Sequence, residues 1–176
     1  MEHLEVRQRK TALAQSMPQL FRGRTVIEMR CLHVEERSVR TDDFYDIQLP
    51  VRGHSSLLSS LRAHCAAERL EGENKWHTDG HGPQDAERRT RIATAPPVLF
   101  LQLNRFAYDT ATYQPVKINT PLSFPETLDL SPMEVTAEGC KKAAEEAGTV
   151  YRLHSVLVHD GGAGYGHYYA YIRPML

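Results

Sequence analysis

Cysteine is scarce in this chain. Cys31, Cys65 and Cys140 are the only three among 176 residues. An odd number at such wide spacing is no disulfide framework, and it points to a compartment where thiols stay reduced. Long apolar runs are missing too, so no segment reads as a bilayer-spanning helix. A surplus of charge is also absent, with 21 Lys and Arg against 22 Asp and Glu, a formal net charge of −1. That balance removes the electrostatic case for nucleic acid or for an anionic membrane as a partner. The N-terminal stretch MEHLEVRQRKTALAQSM is charged and lacks an apolar h-region, so it does not read as a secretory signal. Together these features predict a cytoplasmic or nuclear protein. There is no internal repeat, and the length predicts one domain.

Periodicity supplies most of what is present. RTVIEMRCLH alternates, with Thr25, Ile27, Met29 and Cys31 on one side and Val26, Glu28 and Arg30 on the other. Period two with β-branched residues predicts a strand. DFYDIQLPV alternates likewise after a polar turn, EERSVRTD, and the two predict an antiparallel pair. HSSLLSSLRAHCAAERL changes period: Leu57, Leu58, Leu61 and Cys65 share a helical face, with Ser55 or Ser56 as N-cap. EGENKWHTDGHGPQD is polar and predicts a loop or short finger.

In PPVLFLQLNRFAYD, Val98, Leu99, Phe100, Leu101 and Leu103 form a nearly continuous apolar run, as in a strand buried on both faces. VKINTPLSFPETLDL predicts two short strands split by Pro121 and Pro125. MEVTAEGCKKAAEEAGTV has no apolar stripe and reads as a solvated insert. YRLHSVLVHD and GHYYAYIRP, joined by a glycine loop, predict a β-hairpin. The sum is an α+β chain dominated by antiparallel strands.

Of the nine histidines, His167 stands in an unusual setting. It follows Gly161, Gly162, Gly164 and Gly166, where backbone can approach a ligand closely, and it opens a tyrosine-rich strand. Two readings fit: a hairpin tip beside packing tyrosines, or a general base at the lip of a cleft that admits an extended peptide.

YRLHSVLVHDGGAGYGHYYAYIRP resembles the histidine box of the ubiquitin-specific proteases, the papain-like cysteine deubiquitinases. PPVLFLQLNRFAYD resembles the palm strand of that family. FYDIQLPVRGHSSLLSSLRAH, ERLEGENKW and VKINTPLSFPETL fit the same family in the same order. The resemblance covers residues 17–174 and leaves residues 1–16 poorly matched. It implies the fingers and palm of a papain-like cysteine peptidase, without its thumb subdomain. Fingers are expected near 22–95 and palm near 96–174, with an insert near 133–149. His167 matches the family's catalytic histidine. His159 and Tyr168 match residues lining the channel for the extended ubiquitin tail. Gly166 belongs to the loop bordering that channel, and Arg105 and Phe106 match the palm motif beside it.

The departures are as informative. The family's nucleophile sits in an asparagine-x-glycine-x-x-cysteine-tyrosine box at a helix start, and no such box occurs here. None of the three cysteines has the glycine-flanked surroundings that lower a thiol pKa. The strand carrying the triad's third member does not follow His167 within this sequence. Many members bind zinc through two C-x-x-C pairs in the fingers, but the corresponding positions here are Cys31, Val34, Thr78 and His81. No metal or other cofactor is therefore expected, even with His33 and His77 as recruits.

Two readings of function follow. One is the C-terminal part of a thiol-dependent deubiquitinase whose nucleophile lies outside this chain, which alone would be inactive. The other is a truncated, inactive relative that still binds ubiquitin. A zinc-dependent module around Trp76–His81 is a weaker third. Expected partners are ubiquitin, ubiquitinated proteins and the missing thumb portion of the same catalytic domain, for which the apolar side of VLFLQL would otherwise lie exposed.

Overall fold

The computed structural model describes residue 11, residues 15–133 and residues 150–174. Most of the expected insert, Cys140 within it, and nearly all of the poorly matched N-terminal segment lie outside the described residues. The described chain is α+β and mainly antiparallel, as its periodicity predicts.

A short helix α1 (Ser16–Phe21) leads into strands β1 (Gly23–Cys31) and β2 (Arg37–Phe44), which pair antiparallel. Strand β3 (Ile47–Pro50) then enters helix α2 (Leu57–Cys65), and β4 (Glu68–Leu70) leaves it. A hairpin of β5 (Trp76–Thr78) and β6 (Gly82–Gln84) precedes the long strand β7 (Ala86–Thr94). These strands make a four-stranded sheet in the order β2-β1-β7-β4.

The predicted face of β1 is correct: Thr25, Ile27 and Cys31 are buried. Its predicted partner is not. Residues assigned to a polar turn form β2, and β3 pairs instead in parallel with β8 (Leu101–Asn104). The reason is that β2 is an exposed edge strand with no apolar alternation to reveal it. Its charges find cross-strand partners, Asp43 with Arg24 and Arg37 with Glu28.

Helix α2 forms as its period predicts. Ser56 is the N-cap, its Oγ accepting from the Ser59 amide. Leu57 and Leu61 are buried, and Ser60, equally buried, donates to the Pro50 carbonyl. This seats α2 in a core shared with Leu49, Val51 and Ile92. Leu122, Leu128, Leu130 and Met133 close the same core.

After β8 come β9 (Phe106–Asp109) and β10 (Gln114–Lys117), paired antiparallel, and then β11 (Thr127–Asp129). The run before β8 is not a strand buried on both faces. Val98 and Phe100 are 41% and 47% exposed, and the strand begins only at Leu101. Pro96 is fully buried here, its carbonyl accepting from the Tyr151 hydroxyl. That tyrosine lies in β12 (Val150–Arg152), which pairs with β11. The chain then turns into the predicted hairpin of β13 (Ser155–Gly161) and β14 (Gly166–Ile172).

Candidate active site

The hairpin of β13 and β14 is a two-stranded sheet in which His159 lies opposite Tyr168, Asp160 opposite His167, and Gly161 opposite Gly166. Alternation along a strand sends neighbours to opposite faces. Gly166 and Tyr168 therefore share a face with His159, while His167 shares the other with Asp160 and Tyr169.

The first face holds most of the expected channel residues. The His159 ring lies 4.7 Å from that of Tyr168 and 5.2 Å from that of Phe106, edge to face in the latter pair. Gly166 closes over the same ring. A β-carbon there would collide with His159 Nε2 and the Asp160 carbonyl oxygen, so the close approach requires glycine. Gly161 has φ +131°, and a β-carbon on it would meet the Tyr165 carbonyl oxygen at 2.5 Å. His159 Nδ1 is buried and makes no hydrogen bond among the described residues.

Arg105 is adjacent in sequence but turned elsewhere. Its guanidinium donates to the Ile118 and Thr120 carbonyls, each at 3.0 Å. It fixes backbone beyond β10. His167 stands at the exposed lip of the hairpin.

Two contacts anchor the hairpin, and neither is evident from the sequence. Lys117 Nζ donates to the carbonyls of His159 at 2.8 Å and Gly161 at 2.9 Å. At the other end, Arg173 donates to Glu126 at 2.6 Å. A lysine in a short strand and a glutamate after a proline carry no signal of such roles, because both residue types usually face solvent.

The described cysteines are unlike activated nucleophiles. Burial, with a further push from Glu36, raises the Cys31 thiol pKa. Burial raises that of Cys65 despite an opposing effect from Arg91. Nucleophilic cysteines need the reverse. At the fingertip, Thr78 Oγ accepts from the His81 amide and donates to the Gly82 carbonyl, so a hydroxyl closes the β5–β6 turn. Among the described residues no group of three or more His, Cys, Asp or Glu is gathered to hold a metal. The donor set does not fit the two-pair zinc site of the family.

The hairpin thus presents an exposed histidine at a glycine-bounded tip, with an aromatic cluster on its other face. The chain belongs to the ubiquitin carboxyl-terminal hydrolase family, whose sequence profile matches residues 2–175. It is 43% identical over 175 residues to ubiquitin C-terminal hydrolase 12 of Arabidopsis thaliana, covering 99% of this chain and 16% of that protein. It is 37% identical over 179 residues to ubiquitin carboxyl-terminal hydrolase 15 of Saccharomyces cerevisiae, covering 99% of this chain and 14% of that protein. Among solved structures it resembles the SAGA DUB module bound to ubiquitin aldehyde. The TM-score is 0.74 at 25% identity, over 89% of this chain and 34% of that one. The chain thus spans about a sixth of the length of the curated relatives it matches.

Proposed function

We propose that this chain supplies the histidine base and the ubiquitin-tail channel of a thiol-dependent deubiquitinase. The observation that carries the reading is the hairpin itself, which presents His167 on a glycine-bounded tip while Phe106, His159 and Tyr168 cluster beneath. Glycine backbone and aromatic walls suit a narrow slot, and a Gly-Gly terminus is the peptide that such a slot admits. In the proposed reaction His167 takes a proton from a cysteine thiol outside the described residues. The thiolate attacks the terminal glycine carbonyl, and the isopeptide C–N bond breaks as His167 returns the proton to the leaving lysine amine. Water then hydrolyses the thioester.

The same reading assigns residues 22–95 to fingers that grip the globular body of ubiquitin and residues 96–174 to the palm. Within the family, the strings MPQLFRGRTVIEMRCLHVEERS and VKINTPLSFPETL favour kinship with the herpesvirus-associated ubiquitin-specific protease. A ubiquitin-binding module without hydrolysis is the second reading. The raised pKa values of Cys31 and Cys65 favour it for this chain in isolation.

Titration of isotope-labelled ubiquitin with the 176-residue chain tests both. Shifts are expected in the ubiquitin tail, and Tyr168→Ala is expected to weaken them. Ubiquitin resonances that stay unmoved at high chain concentration would end both readings. A fluorogenic ubiquitin conjugate separates them: the chain alone is expected not to turn it over. Turnover that disappears in His167→Ala would show that the nucleophile is present after all.

A further inference from the structure

We propose that Lys117 is a positioning residue: its ammonium clamps the outer edge of β13 and so fixes the strand segment that presents His167. The inference rests on His167 being the base of the proposed reaction.

The geometry is specific. Lys117 Nζ reaches two carbonyls, those of His159 at 2.8 Å and Gly161 at 2.9 Å. Residues two apart in a strand send their carbonyls to the same side. The residue between them, Asp160, sends its own backbone groups the other way, toward its partner His167 in β14. The ammonium therefore holds the strand directly behind the histidine, on the edge that pairs with no strand among the described residues. Among the described residues the hairpin pairs with no third strand, so these carbonyls would otherwise face solvent or water. Hydrogen bonds from an ammonium are charge-assisted and stronger than the neutral bonds of a ladder.

The same rung of the neighbouring hairpin grips His159 twice. Lys117 lies opposite Phe106 in the β9–β10 register. The lysine takes the His159 carbonyl while the phenylalanine packs its ring edge to face. Lys117 is itself held, because the guanidinium of Arg105 fixes the next backbone stretch through the carbonyls of Ile118 and Thr120, and the Ile118 amide donates back to the Arg105 carbonyl. Two cations thus act in series on backbone carbonyls. The first ties Arg105 to the backbone that follows β10, and the second ties β10 to the histidine hairpin.

The test uses the 176-residue chain and does not require hydrolysis. In the wild-type protein, nuclear magnetic resonance should detect hydrogen-bond couplings between Lys117 Nζ and the carbonyl carbons of His159 and Gly161. Their absence, with the Lys117 ammonium exchanging as fast as free lysine, overturns the clamp without any variant having to fold. Lys117→Met should then speed amide exchange in β13 and β14 by about tenfold or more, since two charge-assisted bonds are lost. It should also split or broaden the His167 ring signals, with β1 and β7 unchanged. Lys117→Arg, whose planar fork can still span two carbonyls, should restore both readouts. Unaltered hairpin exchange in Lys117→Met, or equal acceleration in β1 and β7, overturns the proposal. A loosened hairpin in a chain that fails to shift ubiquitin would leave the clamp standing and remove the deubiquitinase reading instead.

Discussion

Leu61 and Tyr168 are the two extremes of this molecule. Leu61 is fully buried between β3 and β7, in a core shared with Leu49, Ile92 and Leu130. Tyr168 is 64% exposed in a strand whose residues are all exposed. The body holds itself together by apolar burial, whereas the hairpin is held by its own ladder, one lysine, one ion pair and a small ring cluster. Elements that must admit a ligand come from the less stable end of a structure. The hairpin is therefore expected to open more readily than the body.

That contrast predicts effects of different size and reach. The largest is expected from Leu61→Ala. Truncating a fully buried leucine removes its transfer free energy and leaves a cavity, a cost of about 2–5 kcal/mol. This is a large share of the stability of an ordinary domain. Urea unfolding should show a lower midpoint at unchanged slope, and amide exchange should rise in β1, β3 and β7 alike. An unchanged midpoint would mean that the body is not the stable half.

A smaller and more local effect is expected from Gly166→Ala. The new β-carbon would strike His159 Nε2 and the Asp160 carbonyl oxygen, so the ring or the strand must move. Overpacking of this kind costs about 1–3 kcal/mol. It should be felt only in β13, β14 and the Phe106 contact. Amide exchange resolved by residue would show acceleration confined to the hairpin and a changed ring-current shift on Phe106. Equal acceleration in the finger strands would erase the distinction between the two regions.

The sequence was readable where a residue's environment repeats with the period of its element. The Thr25, Ile27 and Cys31 face of β1, the Leu57 and Leu61 face of α2, and the Gly-rich hairpin were all visible that way. It was unreadable where polar residues build structure through partners distant in the chain. Strands β2 and β7 are rich in arginine, and their charges are matched across strands or half-covered by the sheet, as with Arg88 beside Glu68. The parallel pairing of Ile47–Pro50 with Leu101–Asn104 joins segments about fifty residues apart, which no local pattern records. The site divides in the same way. His159, Tyr168, Gly166 and Phe106 do gather, because the motif that suggested them lies on a single hairpin and its neighbour. Arg105 turns to backbone carbonyls instead, and Lys117 gave no sign of its reach.

The smallest expected effect concerns the base of the hairpin and depends on pH. Glu126 accepts from Arg173 at 2.6 Å, and Arg152 stands 3.8 Å away. The Arg173 hydrogen bond and charge, with a lesser pull from Arg152, hold the Glu126 carboxyl below the usual carboxylate range. The unfolded chain would take up that proton near pH 4.3, about the value of an unperturbed glutamate. The contribution of the pair is therefore fully present above that pH and is lost as pH falls through the lower, folded value. The carboxyl is exposed, so the effect should be modest and should shrink further in about 1 M salt. Acidification should shift the Arg173 guanidinium resonances and lower the protection factor of the Arg173 amide, which donates to the His154 carbonyl, once the intrinsic pH dependence of exchange is divided out. Glu126→Gln should remove this acid response. An identical acid response in Glu126→Gln would show that the ion pair does not hold the base of the hairpin, leaving Lys117 as its charged anchor among the described residues.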